Sequence, residues 1–280
     1  MLTKKTIFIL GAGASNPYQY PLGNELVKII CENLNNLPTK DKYNSNFEIL
    51  KGFGYSADDL LNFRKELIYS DTPSIDSFLE HRKEYLELGK LAISQALIPF
   101  EITDNLYISD RSWYKYLFGK LTTSFNDFDK NKVSFLTFNY DRSLEHYLMT
   151  ALHYKYGKTE KECVEKLQKI PIIHLYGQLS SLPWQNNNDN NVREYSTTIS
   201  PEILKKSSAK IKIIYEDIDK MNDPEFKTAY QLLKAANRIF FLGFGYHETN
   251  LRRLRLVSSL ENKIEPTRIN GTSLGLTLEQ

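Results

Sequence analysis

The sequence predicts an α/β fold with a doubly wound parallel sheet and a helical insertion, and three observations carry that expectation. Thr6-Ile7-Phe8-Ile9-Leu10, Val133-Ser134-Phe135-Leu136-Thr137-Phe138 and Arg238-Ile239-Phe240-Phe241-Leu242 are apolar without alternation, as in strands covered on both faces. Between them lie segments whose apolar residues recur at helical spacing, so strands and helices alternate. Glycines follow the first and last of these runs directly, and in such a sheet the ligand crevice lies at the C-terminal ends of the strands.

The first strand, residues 6–10, ends at Gly11-Ala12-Gly13-Ala14-Ser15, which reads as a glycine loop. After the turn-rich 16–23, Leu26, Ile29, Ile30 and Leu34 mark a helix that Pro38 stops. From about 57 to 125 the spacing stays helical, with Ile75, Phe78, Leu79 and Leu86, then Trp113, Tyr114, Leu117 and Leu121. Thr72-Pro73-Ser74 offers a cap and a first-turn proline there. The sheet resumes at 133–138, a helix carries Leu144, Tyr147, Leu148, Ala151 and Leu152, and Ile170-Pro171-Ile172-Ile173 forms the next strand. Residues 183–200, with the tract Trp184 to Asn191, read as a mobile surface loop. Residues 248–260 look helical after the 238–242 strand, and Thr267 to Ser273 suits one more strand with little room for a covering helix, which leaves open that the chain is a piece of a longer protein.

Composition narrows the class of function. At 41% hydrophobic and 25% charged, the 280-residue chain has ordinary globular values, which exclude a disordered, collagen-like or disulfide-stapled protein. Lysine and arginine number 36 against 34 acids, and a net charge of +2 gives no basic field for a nucleic acid backbone. Cys31 and Cys163 are too few for a four-cysteine zinc site and read as core thiols. The N-terminal apolar run is too short for a signal peptide, and no stretch approaches the about 18 apolar residues that span a bilayer. The expectation is a cytoplasmic protein with no membrane contact.

Three constellations sit at strand ends. Gly11 and Gly13, between a strand and a helix, suit a diphosphate because Cβ-free residues let backbone N–H groups approach it. They depart from the dehydrogenase fingerprint, with Asn16 at the third glycine position and Glu32 inside a predicted helix. Thr137-Phe138-Asn139-Tyr140-Asp141 delivers an amide and a carboxylate to a strand end, where both are also good helix caps. His174-Leu175-Tyr176-Gly177-Gln178 follows another strand, and a period of two puts His174 and Tyr176 on one face. His81, His146, His153 and His247 show no metal-ligand spacing, and no metal is expected. Asp76 reads as a helix-start carboxylate or a rim residue, and Arg252, Arg253 and Arg255 as a solvated helix face.

The order of these motifs, Gly11 to Ser15 with Pro21 downstream, then Asn139-Tyr140-Asp141, then a histidine and glycine, then Gly243-Phe244-Gly245, resembles the sirtuin superfamily. With Ser74-Ile75-Asp76-Ser77-Phe78-Leu79 included, the chain is most similar to the prokaryotic sirtuin-like NAD hydrolases of antiphage defence. The resemblance spans residues 6–277. It implies a single domain over 1–280, with a Rossmann-like core in 1–40 and 130–280 and a helical insertion in 50–128. It implies that NAD is the substrate, split into nicotinamide and ADP-ribose. By similarity Gly11, Ala12, Gly13, Ala14 and Ser15 hold the pyrophosphate, with Pro21 beside them. Asn139 orients the attacking water or the ribose hydroxyls, Asp141 contacts the nicotinamide amide, and Gly243 and Gly245 line the ribose.

Three departures qualify what the resemblance implies. The family places its catalytic histidine immediately before the glycine of the third motif, where this chain has Tyr176, with His174 two residues earlier. His174 is the expected base, in neutral form; a strict register would put Tyr176 in the site and weaken or abolish turnover. The paired zinc cysteines of the protein deacylases are absent, and Leu22-Gly23 replace the phenylalanine and arginine that follow the early proline. The last two departures favour NAD hydrolysis over the first alternative, an NAD-dependent protein deacylase, while Tyr176 keeps open the second, a module that senses NAD or ADP-ribose without turnover. The resemblance further implies an NAD-depleting effector of abortive infection, restrained through a homo-oligomer or an activating partner protein.

Overall fold

The structure, a computed structural model, describes residues 1–35, 45–185, 190–213, 223–261 and 266–273. Pro38 and most of the asparagine tract after Gln185 lie outside the described residues. The chain divides into two compact units, one of residues 1–18, 103–177 and 217–280, the other of 19–102 and 178–216.

The first unit is built on a five-stranded parallel sheet in the order β3-β2-β1-β4-β5. The strands are β1 (Thr6–Leu10), β2 (Val133–Thr137), β3 (Ile172–His174), β4 (Arg238–Leu242) and β5 (Arg268–Gly271). This is the expected Rossmann-like, doubly wound arrangement, and the strand order reverses between β1 and β4. Both faces are covered: Ile7 and Ile9 are buried on one, while Phe8 stacks between Phe135 and Phe240 at 5.5 and 5.4 Å on the other. β3 is shorter than the apolar run suggests, because Pro171 gives its carbonyl to Phe135 N but has no N–H for the ladder.

Register brings the strand ends level. Leu10 pairs with Thr137 on one side and Leu242 on the other, and Thr137 pairs with His174. The turns after β1, β2, β3 and β4 therefore leave the sheet along one edge. Around it, the helix Ser143–Tyr156 packs against helices Trp113–Leu121 and Glu160–Leu167, and the helix Pro224–Ala235 packs against β3 and the helix Leu256–Leu260.

The second unit is helical. Its centre is the helix Leu86–Leu97, almost wholly buried between helices Gly23–Asn33 and Pro201–Ser208. A Cβ at Gly89 would meet Leu79 Cδ1 at 2.5 Å, so the glycine lets that leucine seat against the helix. Ser56 and Asp59 form a reciprocal capping box at the start of the helix Ala57–Tyr69. Ser74 caps the helix Ile75–His81 by accepting from Ser77 N, which leaves Pro73 before the cap and not in the first turn. Asp76 lies in that first turn, within the helical unit.

Two expectations change. The helical unit is not the continuous segment 50–128: it takes in 19–35 and 190–213, whereas residues 103–128 pack with the sheet. Tyr114 and Phe118 face Tyr147, with ring centroids at 5.1 and 6.3 Å, which ties the helix Trp113–Leu121 to the βαβ unit. The loop at 183–200 is pinned within its described part, because Arg193 is buried and its guanidinium pairs with buried Glu101 at 2.7 Å.

Candidate functional site

Gly11, Gly13 and Gly243 are glycines because their backbones touch. A Cβ at Gly11 would stand 2.5 Å from the Gly243 oxygen and 2.8 Å from Phe244 Cα, and one at Gly243 would overlap Gly13 and Ala14. Gly243 also has a φ of +54°, in the left-handed region. Gly11 N–H donates to Leu242 O at 3.1 Å and Gly13 N–H to Gly243 O at 2.9 Å, so both amides are engaged by the end of β4. The expected loop is a short helix, Ala12–Ser15, that starts directly after Gly11. Gly245 differs: it is exposed, and a Cβ there would meet nothing within 4 Å, so packing does not demand a glycine.

Asn139 turns its amide toward this helix and does not cap the one that follows. Its Nδ2 donates to Gly11 O at 2.9 Å and to Ser15 Oγ at 3.0 Å. A carbonyl can only accept, so the orientation of the amide is fixed, with Oδ1 on the other side. Among the described residues Oδ1 receives no hydrogen bond, and the residue is half-buried. The backbone is also held, by donation from Asn139 N to Thr137 Oγ1 at 3.0 Å. The result is a clamped amide with one open acceptor at the end of the sheet.

Asp141 is buried behind it. Oδ2 accepts from Ser15 Oγ at 2.7 Å, while Oδ1 accepts from Ser143 N at 3.1 Å and from Ser143 Oγ. Ser143 Oγ also bonds Tyr114 Oη at 2.7 Å, and the Tyr114 ring stacks on Tyr18 at 4.0 Å. Burial pushes the Asp141 carboxyl above its ordinary range, against the lowering effect of hydrogen bonds from Ser143 and Ser15. Asp141 thus keeps part of the capping role its sequence position suggests, through Ser143, and adds a link to the β1 turn.

His174 does not stand as a neutral base. Its Nδ1 lies 2.8 Å from Asn139 O and its Nε2 2.6 Å from Glu145 Oε1. Burial alone would lower its pKa, but the charge and hydrogen bond of Glu145, the Asn139 carbonyl and the charge of Asp141 together hold it above the usual histidine value. Glu145 was not anticipated. It shares a helix face with buried Leu148, Met149 and Leu152, and an acid on a buried face signals a partner.

Tyr176 and His174 have different partners. β3 ends at His174 and Gly177 has a φ of +74°, so alternation along a strand does not extend to Tyr176. Tyr176 Oη donates to Asn250 Oδ1 at 2.7 Å and accepts from Arg253 Nη1. Arg253, expected on a solvated face, is buried, with its guanidinium 5.6 Å from the Tyr176 ring; Arg252 and Arg255 are exposed.

One unit therefore gathers Gly11 to Ser15, Asn139, Asp141, His174, Tyr176, Gly243 and Gly245, while Pro21 belongs to the helical unit. Cys31 and Cys163 are buried free thiols. Among the described residues no helix is long and apolar enough to cross a membrane. No family model matches the chain, and no curated protein matches it.

Proposed function

We propose that the chain binds NAD at the C-terminal edge of its sheet and hydrolyses the bond between nicotinamide and ribose. The observation that carries this reading is Asn139, locked by Gly11 and Ser15 with Oδ1 open at the end of a parallel strand beside the strand-order reversal. In the reaction the C1′–N1 bond breaks, its electron pair neutralises the nicotinamide ring, and water adds to C1′ with release of a proton. Positive charge builds on the ribose, so the demand is for orientation and nearby electron density more than for a strong acid. Asn139 Oδ1 supplies an acceptor for water or a ribose hydroxyl, with the Asp141 carboxyl behind it. Both nitrogens of His174 are committed, so water activation is not assigned to that ring.

Incubation with NAD, with nicotinamide release followed by chromatography, tests the reading. Release is expected, with a loss of about 10²-fold or more in Asn139→Ala. An assembled protein that releases none, or an Asn139→Ala variant equal to wild type, refutes it. The place of the activity as an antiphage effector, its restraint by self-assembly or a partner, and a cytoplasmic setting belong to the same proposal and rest on the motif resemblance. A second reading, an NAD or ADP-ribose sensor without turnover, is favoured by the tying of Tyr176 Oη to Asn250 and Arg253 where the family has its histidine. Tight binding with no nicotinamide released would select it.

A further inference from the structure

Glu145 lies on the helix Ser143–Tyr156, one turn past Asp141, with its side chain 1% exposed. The Asn139 carbonyl only accepts, so His174 Nδ1 must carry a proton and donate to it. At 2.6 Å, the carboxylate of Glu145 and a bare Nε2 would oppose lone pairs, so a second proton must lie between them. The imidazole is a two-ended donor strung from a carboxylate to a backbone carbonyl, and its side chain is 7% exposed. It has no lone pair with which to serve a substrate.

We propose that Glu145 is a positioning residue: through His174 it fixes the Asn139 carbonyl, and with it the direction in which Asn139 Oδ1 is presented. The inference rests on Asn139 as the ligand-facing amide. Glu145 itself touches no ligand. Without it the ring loses its outer anchor, and the Asn139 peptide keeps only its N–H bond to Thr137 and the side-chain bonds to Gly11 and Ser15. The charged groups that face the ring are Glu145, from its helix, and Asp141, from the turn before it, both acidic. Loss of the shared proton sets Nε2 against the carboxylate, so the anchor is expected to fail as pH rises through the ring's folded value, which lies above the usual 6.5.

Nuclear magnetic resonance of the ¹⁵N-labelled chain, reading the side-chain amide signals of Asn139, tests this without a ligand. Glu145→Ala is expected to shift or broaden them. Glu145→Gln, whose amide can donate to Nε2 of a ring that keeps its Nδ1 proton, is expected to leave them near wild type at neutral pH and to remove the change seen in wild type on alkalinisation. With NAD as substrate, Glu145→Ala is expected to lower kcat about 10²-fold with KM within about threefold, and Glu145→Gln to recover most of that loss. Unchanged Asn139 signals in Glu145→Ala, or an identical alkaline transition in Glu145→Gln, would overturn the assignment. If the alanine variant does not fold, the glutamine variant decides alone. A wild-type chain that releases no nicotinamide defeats the NAD reading and leaves the resonance measurements to decide this one.

Discussion

Ser15 Oγ donates to Asp141 Oδ2 at 2.7 Å although 126 residues separate the two in the chain. The same oxygen accepts from Asn139 Nδ2, so one hydroxyl joins the turn after β1 to both polar residues after β2. Through Ser143 and Tyr114 the network continues into the helix Trp113–Leu121, which makes the strand-end region a connected polar layer.

Ser15→Ala should therefore disturb two partners at once. It leaves a buried Asp141 oxygen and one Asn139 N–H without that bond, and a loss of about 1–3 kcal/mol in urea unfolding is expected. Nicotinamide release should fall in the same variant, since the amide loses half its clamp. A stability equal to wild type would show the hydroxyl to be replaceable.

Gly243→Ala and Gly245→Ala should differ sharply. At 243 a methyl group would overlap Gly13 and Ala14 on a backbone with positive φ, whereas at 245 it meets nothing within 4 Å. The first substitution should cost several kcal/mol, about 3 or more, or prevent folding, and the second should stay within about 1 kcal/mol. Thermal unfolding of the pair reads the contrast. If Gly245→Ala stays folded yet loses NAD binding, the open side of that turn is assigned to the ligand.

Half-buried His146 and buried His174 should tilt stability in opposite directions with pH. Burial, then the nearby Arg142 charge, lowers His146 to about 4, so the fold holds it neutral while the unfolded chain takes up a proton. Stability is therefore expected to fall as pH drops from about 6.5 toward 4, and His146→Gln should flatten that limb. His174 is raised, so its contribution is present below 6.5 and is lost as pH rises through its folded value. Glu145→Gln should remove the alkaline limb. Urea midpoints measured across the range check both slopes.

In the helical unit, Glu101→Ala should cost about 3–5 kcal/mol, because it strands the Arg193 charge in a buried site. Replacing both residues by apolar ones should cost less than the sum of the single changes. A double-mutant cycle in urea measures the coupling, and additive losses would show that the two side chains act separately.

The sequence makes some of this architecture plain and hides the rest for identifiable reasons. β1 and β4 are readable to the residue because each is a continuous apolar run closed by glycine. The strand-end placing of Asn139 and His174 follows from the same pattern. Helical periodicity says that a face is buried but not against what, so residues 103–128 could not be assigned to the sheet's unit from their stripes. Likewise Arg253 stands among exposed arginines, and only the fold turns it toward Tyr176. The protonation of His174 was illegible because it depends on Glu145, a residue 29 positions away.

The order of the sheet has a consequence for how the chain comes into being. β1 lies between β2 and β4, so the earliest of the five ribbons to be synthesised is the innermost one. It finds its first neighbour only when residue 133 has been made and its second only at residue 238. Until then Thr6–Leu10 is an unpaired, greasy edge whose partners do not yet exist, and assembly of the sheet is a late, slow event that favours chaperone protection of the nascent first strand.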